Sequence, residues 1–219
     1  MAASAARLTL LAEGRQQTLG GTVRLTASRV VSQHVLPPLL ARLRQAEPRI
    51  QIDLIASDTS ENLLFREADI ALRMYRPEQL DIIARHVTDL PLGLYAAKTY
   101  LDRRGRPQSL DDLLRHDFVG YDRDERILRL MRKLGAAVTR GFFVLRCDDQ
   151  TVHWELVRAG CGISGMQCRT ADADPLVERV LPDLPLPPLP LWLAAPQALH
   201  SNPRIRRVWD FLVAELPQS

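Results

Sequence analysis

Apolar and polar residues change period repeatedly along the chain, and each change marks an element. Thr22-Val-Arg-Leu-Thr-Ala27 alternates at period two, which predicts a strand with Val23, Leu25 and Ala27 on one face. Ser28 stands at the cap position of a helix in which Val31, Val35, Leu39 and Leu43 recur four apart, with Leu36 and Leu40 widening the stripe. Pro37-Pro38 falls inside that pattern. Interior proline costs ~3 kcal/mol, so the pair must occupy a first turn or mark a break. Ile50-Gln-Ile-Asp-Leu-Ile55 alternates again, and puts Ile50, Ile52 and Leu54 on a shared face. Asp58-Thr59-Ser60 then offers a cap cluster ahead of a short helix over 61–66. Asp69-Ile-Ala-Leu-Arg73 reads as a short, buried parallel strand. This β-α-β-α-β order demands a parallel sheet with right-handed crossovers.

A second series of β/α units runs from about residue 90 to 188. Residues 82–87 and 90–97 are extended runs, 100–104 a helical turn stopped at Gly105, and Ser109 a cap for a helix to Arg115. Strands are predicted at 118–121, 142–146 and 163–166, and helices at 127–134 and 151–159, the latter capped by Asp148 or Asp149 and ended by Gly160. A proline-rich stretch over 182–190 precedes a last strand, 191–195, and a last helix capped by Ser201, with Ile205, Val208, Trp209, Leu212 and Val213 at helical spacing. Residues 1–19 read as the end of an amphipathic helix stopped by Gly20-Gly21. Two lobes joined by more than one crossing explain this order.

At 219 residues the chain has room for two such lobes, and 46% apolar with 25% charged residues is a globular balance. No run approaches the ~20 apolar residues of a membrane helix, and the start lacks a basic secretory n-region. The net charge of +3 is uneven: residues 1–50 carry seven Arg against two Glu, while the rest of the chain is slightly acidic. The basic residues form no dense cluster and aromatic residues are only 5%, so neither a duplex-binding face nor a stacking platform for single strands is indicated. Cys147, Cys161 and Cys168 are odd in number and lack a C-x-x-C pair; free thiols in a reducing cytoplasm are the expected state.

The strongest chemical signal is a repeated event, in which a strand ends, a small polar residue follows, and a helix begins. It occurs at Ser28, at Asp58-Thr59-Ser60 and at Asp149-Gln150-Thr151. Ligands of parallel sheets gather outside the carboxyl ends of strands, where helix N-termini present free N–H groups. Hydroxyls of Ser28, Thr59, Ser60 and Thr151 could add donors to a carboxylate or similar polar solute; the alternative is that each only caps its helix. Arg73, at the end of a buried strand, should face a cleft or a partner, because a lone buried charge is expensive. Catalytic patterns are missing. The histidines are dispersed without an H-x-x-x-H or H-E-x-x-H spacing, and no G-x-S-x-G elbow, P-loop or dinucleotide fingerprint occurs. His153 with Cys161 could be drawn as base and thiol, but eight residues apart they should face different directions. No metal, no cofactor and no catalytic residue is expected.

Several segments together resemble the effector-binding region of LysR-type transcriptional regulators. They are Gly21-Thr-Val-Arg-Leu-Thr-Ala-Ser28, Val35-Leu-Pro-Pro-Leu-Leu40, Glu47-Pro48, Ala68-Asp-Ile-Ala-Leu-Arg73, Ala96-Ala-Lys-Thr-Tyr-Leu101, Ser109-Leu-Asp-Asp-Leu-Leu114, Val157-Arg-Ala-Gly-Cys-Gly-Ile163 and Leu189-Pro-Leu-Trp-Leu193. The resemblance runs in order over about residues 20–215, and 1–19 resemble the end of that family's linker helix. It implies an α/β, periplasmic-binding-protein-like (type 2) fold with two Rossmann-like lobes joined by crossover strands. Lobe I would comprise 20–88 plus 191–219, and lobe II 89–190. A small-molecule effector would sit between them, touching Ser28, Arg29, Asp58, Thr59, Ser60, Tyr121, Thr151, Gly165 and Met166; Arg73, from its place on a buried strand and not from the resemblance, would add an anion contact. The family's regulators are cytoplasmic homodimers or tetramers that bind DNA through a winged helix-turn-helix, a segment not found in these 219 residues. Two other readings stay open: an extracytoplasmic solute-binding protein of the same fold, and an enzyme built on it, such as a dehydratase.

Overall fold

The computed structural model describes residues 20–58, 68–77, 81–133, 135–197 and 202–218. The chain divides into two compact units, one of residues up to Thr88 together with those from Leu191, the other Asp89–Pro190. It passes between them twice.

In the first unit, β1 (Gly21–Ala27) pairs in parallel with β2 (Ile50–Ala56) and with β3 (Ile70–Arg73). The sheet order is β2-β1-β3-β10-β4, where β4 is Ile82–Leu90 and β10 is Leu189–Pro196; β10 runs antiparallel to β3. Val23, Leu25 and Ala27 are fully buried, as their alternation predicts, and all four residues of β3 are buried. The edge strand β2 departs from expectation: Leu54 is 38% exposed, because an edge strand is covered on fewer sides. Helix α1 (Leu36–Ala46) buries Leu36, Leu39 and Leu43, and the last helix, Pro203–Glu215, packs against both α1 and β1, burying Ile205, Val208, Trp209 and Leu212. Arg42 to Glu215 at 2.7 Å and Arg207 to Glu47 at 2.6 Å tie the same elements at the rim.

Pro37-Pro38 is accommodated without breaking the helical rod. Val31–Val35 form a π turn in which the Leu36 N–H bonds back to the Val31 carbonyl, and the prolines follow in the first turn of α1. The widened turn sits where two residues cannot donate, which is where an i→i−4 ladder would fail. The cap of the last helix is corrected: Asn202 accepts from the Arg204 N–H at 3.1 Å, because its side chain precedes Pro203 at the helix start. Ser201, the helix over 61–66 and residues 1–19 lie outside the described residues.

The second unit's central strand, β5 (Leu92–Ala97), pairs antiparallel with β8 (Ser164–Gln167) and β9 (Val177–Val180). β6 (Phe118–Gly120) and β7 (Phe143–Arg146) pair in parallel. A parallel bridge from Phe118 to Ile163 joins the two sets. Phe142 belongs to a 3-10 turn, Arg140–Phe142, so β7 starts one residue later than the pattern predicts. The helix after Ser109 is only Leu110–Leu113, with Ser109 accepting from the Asp112 N–H. Ala96, Tyr100, Leu101, Phe118, Phe143, Ile163 and Val180 form one core; helix α5 (Gln150–Arg158) buries Trp154 and Val157, and Tyr95 of β5 meets Trp154 edge-on.

Gly162 makes the bridge possible. Its φ is +154°, and a Cβ there would stand 2.6 Å from the Asp117 carbonyl oxygen, which accepts from the Ile163 N–H at 2.8 Å. Gly135 has φ +88° but open space around it. Gly162→Ala is therefore expected to cost about 2–3 kcal/mol through strain plus a backbone clash, against about 1 kcal/mol for Gly135→Ala. Urea denaturation of the two variants measures the difference.

Candidate functional site

Because β1, β2 and β3 are parallel, their carboxyl ends lie at one edge of the first unit's sheet. Ser28 and Arg29 follow β1, Asp58 lies just beyond β2, and Arg73 closes β3. The Asp58 carboxylate accepts from the Arg29 backbone N–H at 3.0 Å, with Arg29 Nε at 4.0 Å from its other oxygen. Ser28 Oγ accepts from the Val31 N–H at 3.4 Å. The structure thus brings Ser28, Arg29 and Asp58 together as a cap of the helical rod. Thr59 and Ser60 lie outside the described residues.

Arg73 is only 7% exposed. Its Nη1 donates to the Leu72 carbonyl at 2.9 Å and its Nη2 to the Thr26 hydroxyl at 3.5 Å. Burial lowers its pKa from the usual guanidinium value, while Tyr75 and Asp58 act in the opposite direction. On β10, Trp192 stands directly across from Arg73. The Arg76 guanidinium lies 5.7 Å from the Trp192 ring centroid, and the His86 ring meets Trp192 edge-on at 5.2 Å.

In the second unit, Tyr121 leaves the end of β6 and its ring stacks on that of His153 at 4.4 Å and 10°. His153 is 2% exposed. Its Nδ1 reaches the Cys147 carbonyl at 3.4 Å; a carbonyl only accepts, so Nδ1 carries the proton. Nε2, 2.7 Å from Ser164 Oγ, then accepts from that hydroxyl. Burial holds the His153 pKa below its ordinary value, so the ring is neutral at pH 7. Gly165 is half-buried on β8, and Met166 is 7% exposed opposite Gly93.

Two points that the sequence leaves open are decided by the hydrogen bonds. At the two described helix openings, carboxylates of the chain itself already accept from leading N–H groups. Asp149 Oδ1 accepts from the N–H groups of Thr151 and Val152 at 3.0 and 3.1 Å and from the Thr151 hydroxyl at 2.5 Å, so Thr151 keeps only its oxygen lone pairs for a solute. Asp58 plays the same part toward Arg29. Asp148 is not the cap; it accepts from the N–H groups of Asp122 and Arg123 at 2.8 and 3.1 Å. Sequence reasoning also gave no site role to His153 and Ser164. The available signal was a histidine within the buried stripe His153, Trp154 and Val157 of an amphipathic helix. His153 faces Ser164 rather than Cys161, as the eight-residue spacing implies.

Among the described residues no group of three or more His, Cys, Asp or Glu could hold a metal ion, and no helix is long and apolar enough to cross a membrane. Two mixed α/β units, each with polar side chains at strand carboxyl ends, define a periplasmic-binding-protein-like type 2 domain. The chain belongs to the LysR substrate binding domain family, which matches residues 16–217. It is 32% identical to the HTH-type transcriptional regulator CrgA of Neisseria meningitidis serogroup C over 101 residues, 46% of this chain and 34% of that one. It is 26% identical to the HTH-type transcriptional activator AaeR of Escherichia coli K12 over 148 residues, 66% of this chain and 47% of that one. These matches thus span between a third and a half of the two regulators. Among solved structures, the CrgA regulatory domain aligns with TM-score 0.78 at 24% identity, covering 90% of this chain and 99% of that one. The AmpR effector binding domain from Citrobacter freundii aligns with TM-score 0.75 at 17% identity, with the same coverage. The likeness to these two structures is one of fold.

A depressed histidine pKa has a defined consequence for stability. Below about pH 6.5 the unfolded chain takes up a proton at His153 that the folded chain refuses, so folding stability is full above that pH and falls as pH drops toward the folded pKa. Denaturant titrations at pH 7 and pH 5 should show a larger loss for wild type than for His153→Gln; equal losses would mean that His153 protonates freely in the fold. Asp149→Ala should lower stability by about 1 kcal/mol, read from the same curves, by uncapping α5.

Proposed function

We propose that this chain is the small-molecule effector-sensing part of a LysR-type transcriptional regulator. The observation that carries the reading is the clustering of polar residues at strand carboxyl ends in a chain matched over 16–217 by the LysR substrate binding domain family. The residues assigned to effector binding are Ser28, Arg29, Asp58, Thr59, Ser60 and Arg73 in the lobe of 20–88 plus 191–219, and Tyr121, Thr151, Gly165 and Met166 in the lobe of 89–190. His153 and Ser164 join this set as the support of Tyr121. The effector acts by its differential affinity for two arrangements of the lobes or of a dimer, which is all a ligand can do to an equilibrium. DNA would be bound through a winged helix-turn-helix elsewhere in the full regulator, in the cytoplasm. No cofactor, metal or catalytic residue is needed for this action. An extracytoplasmic solute-binding role is not favoured, since the matched relatives are transcriptional regulators.

Assembly as a homodimer or tetramer through α1 and β2 is supported by the edge position of β2, which leaves Leu54 38% exposed. Light scattering at micromolar concentration should give at least twice the 24.7 kDa chain mass; a monomer overturns this part of the reading. For the site, calorimetry with a metabolite panel should find a binder whose affinity falls about tenfold or more in Ser28→Ala and Tyr121→Ala, and less in Thr151→Ala. Equal affinity in wild type and all three variants would remove the site. Turnover of the bound compound would instead favour an enzyme.

A further inference from the structure

Charge is distributed unevenly over the residues at the strand ends. Asp58 is held by the Arg29 backbone N–H and lies 4.0 Å from its guanidinium, and Asp149 is held by the α5 amides and the Thr151 hydroxyl. A carboxylate already accepts at each helix opening and would repel another anion. Arg73 is different. Its guanidinium donates to two uncharged oxygens, the Leu72 carbonyl and the Thr26 hydroxyl, and stands against the Tyr75 phenol. Among the described residues no carboxylate forms an ion pair with it within 4.0 Å; Asp58 acts on it only through space. A cation 7% exposed in this way is costly unless a counter-charge arrives. The rigid planar fork of a guanidinium matches a carboxylate in shape and charge.

We infer that Arg73 is the charge anchor of the effector site, and that the effector it selects is a small organic monocarboxylate. This rests on the reading of the strand ends as the effector site and specifies the chemistry of that site. Asp58, which acts on Arg73 through space, would repel a second negative charge placed beside it, so a monoanion fits this guanidinium better than a dianion. A neutral amide of the same shape would leave the guanidinium uncompensated and be rejected.

Trp192, opposite Arg73 across the β3–β10 pair, supplies the reporter. The full chain, labelled with nitrogen-15, would be titrated at fixed ionic strength with sodium butyrate, with isosteric butyramide and with sodium sulfate. The Trp192 indole signal is assigned through Trp192→Phe. Butyrate is expected to shift it saturably, with butyramide and sulfate at least tenfold weaker. Arg73→Gln should weaken butyrate tenfold or more, with Arg73→Lys recovering part of the loss. Equal titration by butyrate and butyramide, tighter sulfate binding, or an unchanged butyrate titration in Arg73→Gln each overturns the inference. The comparison of ligands on the wild-type chain decides the matter even when Arg73→Gln fails to fold. A neutral metabolite that depends on Ser28 and Tyr121 would overturn the carboxylate assignment and keep the site. Butyrate binding that needs Arg73, in a chain whose Ser28→Ala and Tyr121→Ala variants bind the panel as wild type does, would keep the anchor and remove that wider site.

Discussion

A helix that begins where a parallel strand ends leaves backbone N–H groups with no partner inside the helix, and something must accept from them. In this chain the acceptors are carboxylates of its own, Asp58 for the rod after β1 and Asp149 for α5. That requirement decides the character of everything nearby. It neutralises the helix openings and turns the Thr151 hydroxyl inward. Each unit also buries a distinctive polar group, a guanidinium in one and, in the other, a histidine that burial keeps uncharged beneath a stacked tyrosine.

That histidine has a precise chemical form because both ring nitrogens are engaged. The Cys147 carbonyl fixes the proton on Nδ1, and the Ser164 hydroxyl fills the lone pair on Nε2. Tyr121 rests on a ring that cannot rotate without breaking both bonds. The stack therefore inherits its orientation from α5 and β8, two regular elements, instead of from the loop that carries Tyr121.

Much of the fold was legible because burial follows period. Val23, Leu25 and Ala27 alternate into the core, Ile70, Ala71 and Leu72 of β3 form an unbroken apolar run that is buried throughout, and the stripe of Ile205, Val208, Trp209 and Leu212 seats the last helix. Period alone could not place Leu54, since exposure of an edge strand depends on which strand lies beside it. It could not specify the π turn before Pro37-Pro38, which answers to backbone donors and not to hydrophobicity. The candidate site was legible as positions but not as chemistry. Ser28, Arg29 and Asp58 follow neighbouring parallel strands and meet as a helix cap, whereas the engagement of the Thr151 donors and the support of Tyr121 by His153 depend on side-chain contacts that carry no sequence spacing.

The two units differ in how their polypeptide is assembled. Asp89–Pro190 is one uninterrupted stretch, so every contact it needs is available once residue 190 has been synthesised. The other unit draws β10 and the helix Pro203–Glu215 from the far end of the chain, and β10 separates β3 from β4 in its sheet. Until those residues leave the ribosome, β3 has an open edge and α1 lacks a packing neighbour. The later-made segment must then close a loop of more than a hundred residues, an entropic cost that slows folding. Birth order on the ribosome is thus reversed in maturation: the half that is started first is finished last.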